Sequence, residues 1–449
     1  MPTDPIAFIH DLRYEDLPPF VVEQAYRCLL DLTGVAAAGS TTAMSRIACD
    51  HAVENLASLT HPARLLFDGR SASPVGAAFA GAATIDSFDA HDGHALTKGH
   101  AGAAVFPALL AFADSGPTPD GREFLTALVL GYEIATRAGI NLHNTTIDYH
   151  TSGAWNALGA TAIGARLLRL SPAQTREALG IAEFHGPRSQ MMRCIDHPTM
   201  VKDGSAAGAA AGVSAALLAS AGFTGAPAVT MSDDQQHPVW GDLGHCWRIN
   251  EQYFKPFPVC RWAHPAVQVA LDLRELHART GTTVADIDNL DITTFHAATR
   301  LLTRHPETTE QAQYSLPFAV ATAFVHGTIT AAHLATPQQA HPDVARLSTI
   351  MRLQESPTYE QQFPAQRHAH GELILRDGIR LHVGRTTARG GPDQPLTNDE
   401  LTTKYHTLTD GILSPECTTT LQETVHSLSA GGSTQMLLDN TLKRGLLHG

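Results

Sequence analysis

SAAGAAAGVSAALLASAGF, residues 205–223, is the most bilayer-like run in the chain, and its reading decides the fold. It is Ala, Gly and Ser with few Leu, and it follows closely on Lys202 and Asp203. A span would need about 20 predominantly apolar residues, so this composition suits a helix packed against other helices better than one in lipid. Gly208, Ala209, Ala211 and Gly212 lack bulk and shorten the distance at which a neighbouring helix can pack. The expectation is therefore a tight helical core rather than a parallel sheet, and no membrane span.

Working outward, the pattern stays helical on both sides. Pro18 and Pro19 open a run in which Val22, Ala25, Leu29 and Leu32 recur at helical spacing before Gly34. Thr118-Pro119-Asp120 reads as a cap leading into Phe124 to Ala138, and Ser171-Pro172 caps a helix through Ile181. The character changes after about Leu273. Leu290, Ile292 and Thr294 alternate with other residues, and Asp377-Gly378 between two β-like runs signals a hairpin with a type I′ turn. Beyond Gly390-Gly391-Pro392, Thr397-x-x-Glu400 is a capping box and the helical pattern returns. A smaller α+β segment of roughly 265 to 390 thus interrupts a helical protein.

The 449 residues are 43% hydrophobic and 17% charged, which is a globular composition and excludes disorder and collagen. Lys plus Arg is 31 against Asp plus Glu 44, a formal net charge of −13, with no basic cluster to neutralise successive phosphates, so nucleic acid is not an expected partner. Cys28, Cys49, Cys194, Cys246, Cys260 and Cys417 are scattered without a CxxC pair, and the opening MPTDPIAFIH has no leader character. A reduced, cytoplasmic protein is expected.

The chemistry gathers in Asp86-Ser87-Phe88-Asp89-Ala90-His91-Asp92-Gly93-His94-Ala95-Leu96-Thr97-Lys98-Gly99-His100. Three carboxylates and three imidazoles in fifteen residues exceed what a solvated loop requires, and Gly93 and Gly99 supply backbone freedom. The competing readings are a polar surface loop and a metal site. His91-x-x-His94 has neither Cys partners nor an HExxH arrangement, so no metal is assigned. Three further motifs accompany the loop: His150-Thr151-Ser152-Gly153, Met200-Val201-Lys202-Asp203-Gly204, and Phe254-Lys255-Pro256-Phe257-Pro258-Val259-Cys260-Arg261-Trp262-Ala263-His264. Lys202 just before a small-residue helix suits an anion, because the helix N-terminus adds partial positive charge and free N–H groups.

These stretches, with Asp31-Leu32-Thr33-Gly34, Gly102 to Leu109, Gly131-Tyr132-Glu133, Ala312 to Phe318 and Pro395 to Leu401, resemble the MmgE/PrpD family of 2-methylcitrate dehydratase, cis-aconitate decarboxylase and iminodisuccinate epimerase. The resemblance implies a mainly α fold with an inserted α+β domain. A large all-helical domain, 1–264 with 392–449, would carry a smaller α+β lid at 265–391. It also implies a homodimer and catalysis without metal, iron–sulfur cluster or nucleotide cofactor. Carried over residue by residue, the family's acidic loop residue falls on Asp89, its histidines on His100 and His150, and its lysines on Lys202 and Lys255. Two hydroxyls of the decarboxylases are replaced, a Thr by Gly93 and a Tyr by Phe318, and the loop is one residue longer. The loss of the two hydroxyls weakens the transfer of the decarboxylase activity in particular.

The family's reactions leave charge on a carbon next to a carboxylate, so cations must meet carboxylates. Lys202, Lys255 and Arg261 would bind the substrate, and an imidazole would move the proton. His100 is the first choice for that role, with His91 and His94 behind it, and Asp89 would orient an imidazole. The expected activity is a cofactor-free lyase that dehydrates a hydroxylated di- or tricarboxylate or related β-hydroxy acid. Decarboxylation of an aconitate-like acid and epimerisation at an acidic α-carbon are the alternatives within the family. A non-catalytic or metal-binding His-rich protein is the alternative outside it.

Overall fold

In the computed structural model, residues 4–231 and 238–444 are described. The expected helical domain's ends, 1–3 and 445–449, and its stretch 232–237 lie outside the described residues. The chain divides into two units. Unit 1 comprises Met1–Met191, Asp203–Tyr253 and Leu396–Gly449, and unit 2 comprises Met192–Lys202 and Phe254–Pro395.

Unit 1 is built on helices α1 (Pro19–Gly39), α2 (Pro74–Asp86), α3 (Gly102–Ser115), α4 (Gly121–Thr145), α5 (Gly153–Leu167), α6 (Pro172–His185) and α7 (Ser205–Ser220). Their starts follow local chemistry. Asp120 accepts from the Glu123 N–H at the head of α4, and Ser171 and Gln174 form a reciprocal capping box on α6; each such cap contributes about 1 kcal/mol. The helix Asn398–Thr409 opens with the expected box of Thr397 and Glu400. The first of these helices does not stop at Gly34 but runs to Gly39. The small-residue stretch is helix α7, and it crosses α5 at backbone contact: a Cβ on Gly208 would lie 2.3 Å from Asn156 Oδ1 and 2.7 Å from Gly153 Cα. Among the described residues no helix is long and apolar enough to cross a membrane.

One buried ion pair positions the segment that faces the site. Glu133 and Arg137, one turn apart on α4, are both fully buried and joined at 3.1 Å. Glu133 Oε1 accepts from the Ile249 N–H, while Arg137 donates to the Cys246 carbonyl and to Asp242. Segment 242–253 is thereby pinned to α4, and its end forms strand β2 (Gln252–Tyr253), antiparallel to β1 (Gly93–His94).

Unit 2 carries a four-stranded mixed sheet. Strand β4 (Met351–Glu355) runs parallel to β3 (Ile287–Thr294), β5 (His368–Leu375) is antiparallel to β3, and β6 (Arg380–Thr387) is antiparallel to β5. The β5–β6 hairpin sits at Asp377-Gly378, but its turn is not type I′. Only Gly378 has positive φ, at 91°; its N–H donates to the Leu375 carbonyl and the Leu375 N–H to the Ile379 carbonyl, a three-residue loop with a left-handed glycine.

Candidate functional site

The segment between α2 and α3 is buried, which overturns the surface-loop reading: Asp86, Asp89, His91, Asp92, His94 and His100 are all at most 6% exposed. Gly93 and Gly99 serve it differently from expectation, since neither has positive φ. A Cβ on Gly93 would lie 2.5 Å from the Tyr253 hydroxyl and 2.7 Å from His100 Nδ1, and one on Gly99 would lie 2.4 Å from Ser152 Oγ. They are required for space. Helix α5 and the residue that precedes it hold the backbone of residue 100: the His100 N–H donates to Ser152 Oγ and Asn156 Nδ2 donates to the His100 carbonyl, each at 3.1 Å.

Around His100 the groups form a chain. Its Nδ1 stands 2.5 Å from the Asp92 carbonyl and 3.1 Å from His91 Nδ1, and its Nε2 stands 3.3 Å from Asp203 Oδ2. His91 Nε2 stands 3.3 Å from Asp86 Oδ1 and 3.9 Å from Asp89 Oδ1. Two imidazoles thus lie between carboxylates with almost no water around them, where electrostatic interactions are stronger than in solution.

Behind the chain, Asp92 packs on a second set of polar groups. Burial pushes its carboxyl up to about 7, the Tyr132 hydroxyl hydrogen-bonded to it works in the opposite direction, and the nearby charge of Asp31 adds to the rise. The same burial, together with Asp92, holds the Tyr132 phenol and the Cys28 thiol well above their ordinary values. Lys404 closes this set by donating to Asp31 Oδ1 at 2.6 Å and to the Ala90 carbonyl at 2.7 Å.

The other two histidines have partners of their own. His94 Nε2 meets Glu251 Oε2 at 2.7 Å and its Nδ1 accepts from the Thr97 N–H at 3.4 Å. Burial opposes ionisation of Glu251, but His94 and Arg248 outweigh it and keep the carboxyl below its usual value. His150 Nδ1 donates to the Asp148 carbonyl at 2.9 Å, which leaves Nε2 with its lone pair while the ring is neutral. Burial, and then Arg188, lower the pKa of His150. Neighbouring His143, whose Nε2 accepts from the His150 N–H, is lowered to about 3 by burial and by Lys98.

The cationic residues belong to unit 2. Lys202 is 1% exposed; its ammonium donates to Gln313 Oε1 at 2.8 Å and lies 4.6 Å from the centre of the Tyr314 ring. Among the described residues of unit 2 it makes no ion pair, so a buried charge is met only by an amide oxygen and an aromatic face, a setting that favours an incoming anion. Its backbone is left-handed, with φ 51°, which a side chain rarely adopts. Lys255 is buried to 1%, and Arg261 donates to the carbonyls of Arg389 and Ala388.

The family model for the MmgE/PrpD N-terminal domain matches residues 6–236, and that for the C-terminal domain matches residues 257–430. The chain belongs to the MmgE/PrpD family. Human cis-aconitate decarboxylase is 24% identical to this MmgE/PrpD protein over 94% of this chain and 90% of its own. The cis-aconitate decarboxylase-like protein oryM of Aspergillus oryzae is 23% identical over 96% and 95%. Cis-aconitate decarboxylase of Aspergillus terreus is 29% identical over a shorter stretch, 38% of this chain and 36% of its own.

In this MmgE/PrpD chain the fold brings Asp89, His91 and His100 together, and their ligand-type atoms all lie within 4.8 Å of one another. That is the composition of a metal site. A carbonyl oxygen only accepts, so His100 Nδ1 carries hydrogen toward Asp92 and only its Nε2 could serve as a ligand atom. Sequence reasoning missed Asp203, Asp86, Ser152 and Tyr132 as members of the site. Each stood in a quoted motif beside a residue that drew attention first: Asp203 beside Lys202, Ser152 beside His150, Tyr132 in the Gly-Tyr-Glu motif. Tyr253 and Gln313 had no signal that would have tied them to His100 or Lys202.

Proposed function

We propose that this MmgE/PrpD protein is a cofactor-independent lyase acting on a di- or tricarboxylate by proton transfer at a carbon beside a carboxylate. The observation that carries the reading is the buried chain Asp86–His91–His100–Asp203, an imidazole of near-neutral type held between groups that can orient it and share its charge. His100 takes the substrate proton at Nε2, while the C–H electron pair stays on carbon and is spread into the adjacent carboxylate. Asp89 and His91 support His100, and His150, with an Nε2 lone pair, is the second group able to move a proton. Lys202, Lys255 and Arg261 hold the substrate carboxylates, and the burial of the Lys202 ammonium beside an amide oxygen and an aromatic face supports that role.

Dehydration of a hydroxylated di- or tricarboxylate of the 2-methylcitrate kind is the first reading, because Gly93 and Phe318 lack two hydroxyls of the decarboxylases. Decarboxylation of a cis-aconitate-like acid is the second, favoured by the near-full-length likeness to proteins named for it. One experiment separates them: purified protein is given 2-methylcitrate, citrate and cis-aconitate, and alkene formation and released carbon dioxide are followed in parallel. Alkene without carbon dioxide supports dehydration, carbon dioxide supports decarboxylation, and neither from any of the three acids sinks both. His100→Gln should lower the productive rate roughly 10²- to 10⁴-fold. We also expect a cytoplasmic homodimer, which light scattering on the purified protein and fractionation of cells would check.

A further inference from the structure

Hydrogen placement in the buried chain is set by its shortest contact. The Asp92 carbonyl 2.5 Å from His100 Nδ1 requires a proton on that nitrogen. His91 Nδ1 stands 3.1 Å from the same nitrogen and 3.4 Å from the same carbonyl; the shorter of these contacts makes it the second acceptor of the His100 proton, so it faces His100 with a lone pair. The proton of neutral His91 therefore sits on Nε2, where Asp86 Oδ1 at 3.3 Å receives it and Asp89 Oδ1 stands at 3.9 Å. Asp86 is itself oriented, since its other oxygen lies 3.4 Å from the Ser205 N–H at the start of α7. Other groups around the two rings include Asp203, whose Oδ2 3.3 Å from His100 Nε2 receives the proton whenever that nitrogen carries it, the Tyr253 ring edge-on to His100 at 6.5 Å, and Tyr132 with Cys28 behind Asp92.

We propose that Asp86 and His91 are positioning residues that act through His100, fixing it as the Nδ1–H tautomer so that Nε2 is the atom exchanging protons with substrate. The proposal rests on the reading of His100 as the proton-transferring group. When Nε2 gains the substrate proton, the Nδ1–H remains, and the added positive charge is met by the Asp92 carbonyl, the His91 lone pair and Asp203. His91 does here what a carboxylate does behind the imidazole of a hydrolase triad, with Asp86 one step further back.

Asp86→Asn tests the tautomer directly. The Ser205 N–H needs an acceptor, so the amide oxygen turns to it and the NH₂ turns to His91 Nε2. His91 must then accept at Nε2 and carry its proton on Nδ1, which drives the proton off His100 Nδ1. Protein labelled with ¹⁵N-histidine, assigned with His91→Gln and His100→Gln, reports this in nitrogen chemical shifts without any substrate. In the wild type, His100 Nδ1 should be protonated and His91 Nδ1 bare; in Asp86→Asn the two should exchange. Turnover of Asp86→Asn should fall about 10²- to 10⁴-fold, as for a wrong-tautomer variant. A protonated His91 Nδ1 in the wild type, or shifts unchanged in Asp86→Asn, overturns the proposal. If Asp86→Asn does not fold, His91→Leu replaces it, and retention of a solely Nδ1-protonated His100 together with full turnover overturns it equally. Full turnover in His100→Gln would instead sink the reading of the base, while the nitrogen shifts would still judge the tautomer.

Discussion

Asp92→Asn isolates a single buried carboxyl. In the folded chain Asp92 keeps its proton up to about pH 7 because it is buried, against an ordinary value of 3.8. Below about pH 4 the folded and unfolded chains both carry the proton, and the residue does not distinguish them. As pH rises, the unfolded chain ionises first and gains free energy that the folded chain cannot match. Stability is therefore lost between about pH 4 and about pH 7 and stays level above that. At about 1.4 kcal/mol per pH unit the loss amounts to roughly 4 kcal/mol. Asparagine is neutral in both states, keeps an oxygen for the Tyr132 hydroxyl, and removes the loss. Urea denaturation of both proteins from pH 4.5 to 8.5 should give a stability difference that grows in favour of the variant with rising pH and levels off near pH 7. Subtracting one curve from the other cancels every other titration the two share. A difference that stays flat across this range, or one that shrinks, would refute the argument that burial keeps Asp92 neutral.

Lys202→Ala and Lys255→Ala should each reduce kcat/KM about ten- to a hundredfold, from loss of a charge-assisted contact of about 1.5–3 kcal/mol; wild-type kinetics in the folded double variant would exclude both from substrate binding. Arg137→Met leaves Glu133 buried without its partner and should destabilise the protein by about 3–5 kcal/mol in urea. Removing both charges together, as Glu133→Leu/Arg137→Met, should recover much of that loss. Chelation should leave turnover intact, because the loop's His and Asp residues act as acid/base and orienting groups; stoichiometric zinc or iron whose removal abolishes activity would contradict this.

What could be read ahead of the structure was local. Asp120, Ser171 and Thr397 cap helices through atoms three residues away, so their effect is written in consecutive positions. The small residues of 205–220 announced close packing, and the close approach at Gly208 bears that out. The hairpin at Asp377-Gly378 was legible in place but not in type, because the handedness of two residues depends on the register of the strands that flank them. The histidine-rich loop was recognisable as unusual, yet its internal wiring was not. His94 is tied to Glu251, 157 positions on, and His100 to Asp203, 103 positions on; no spacing rule connects such pairs. Gly93 reads in the sequence as a source of backbone freedom and is instead a gap shaped by Tyr253.

The crossing of α5 and α7 has a consequence for how this protein can drift. Asn156 supports the His100 peptide with its amide nitrogen while its carbonyl oxygen lies where a methyl on Gly208 would be, 2.3 Å from that methyl's carbon. A single added carbon at Gly208, a position with no chemistry of its own, must push Asn156 and with it the imidazole two helices away. A displacement of about 1 Å in a reacting group can cost on the order of 10² in rate. The alphabet permitted at Gly208 is therefore set by turnover as much as by packing, and a variant there that melts normally can still be an inactive enzyme.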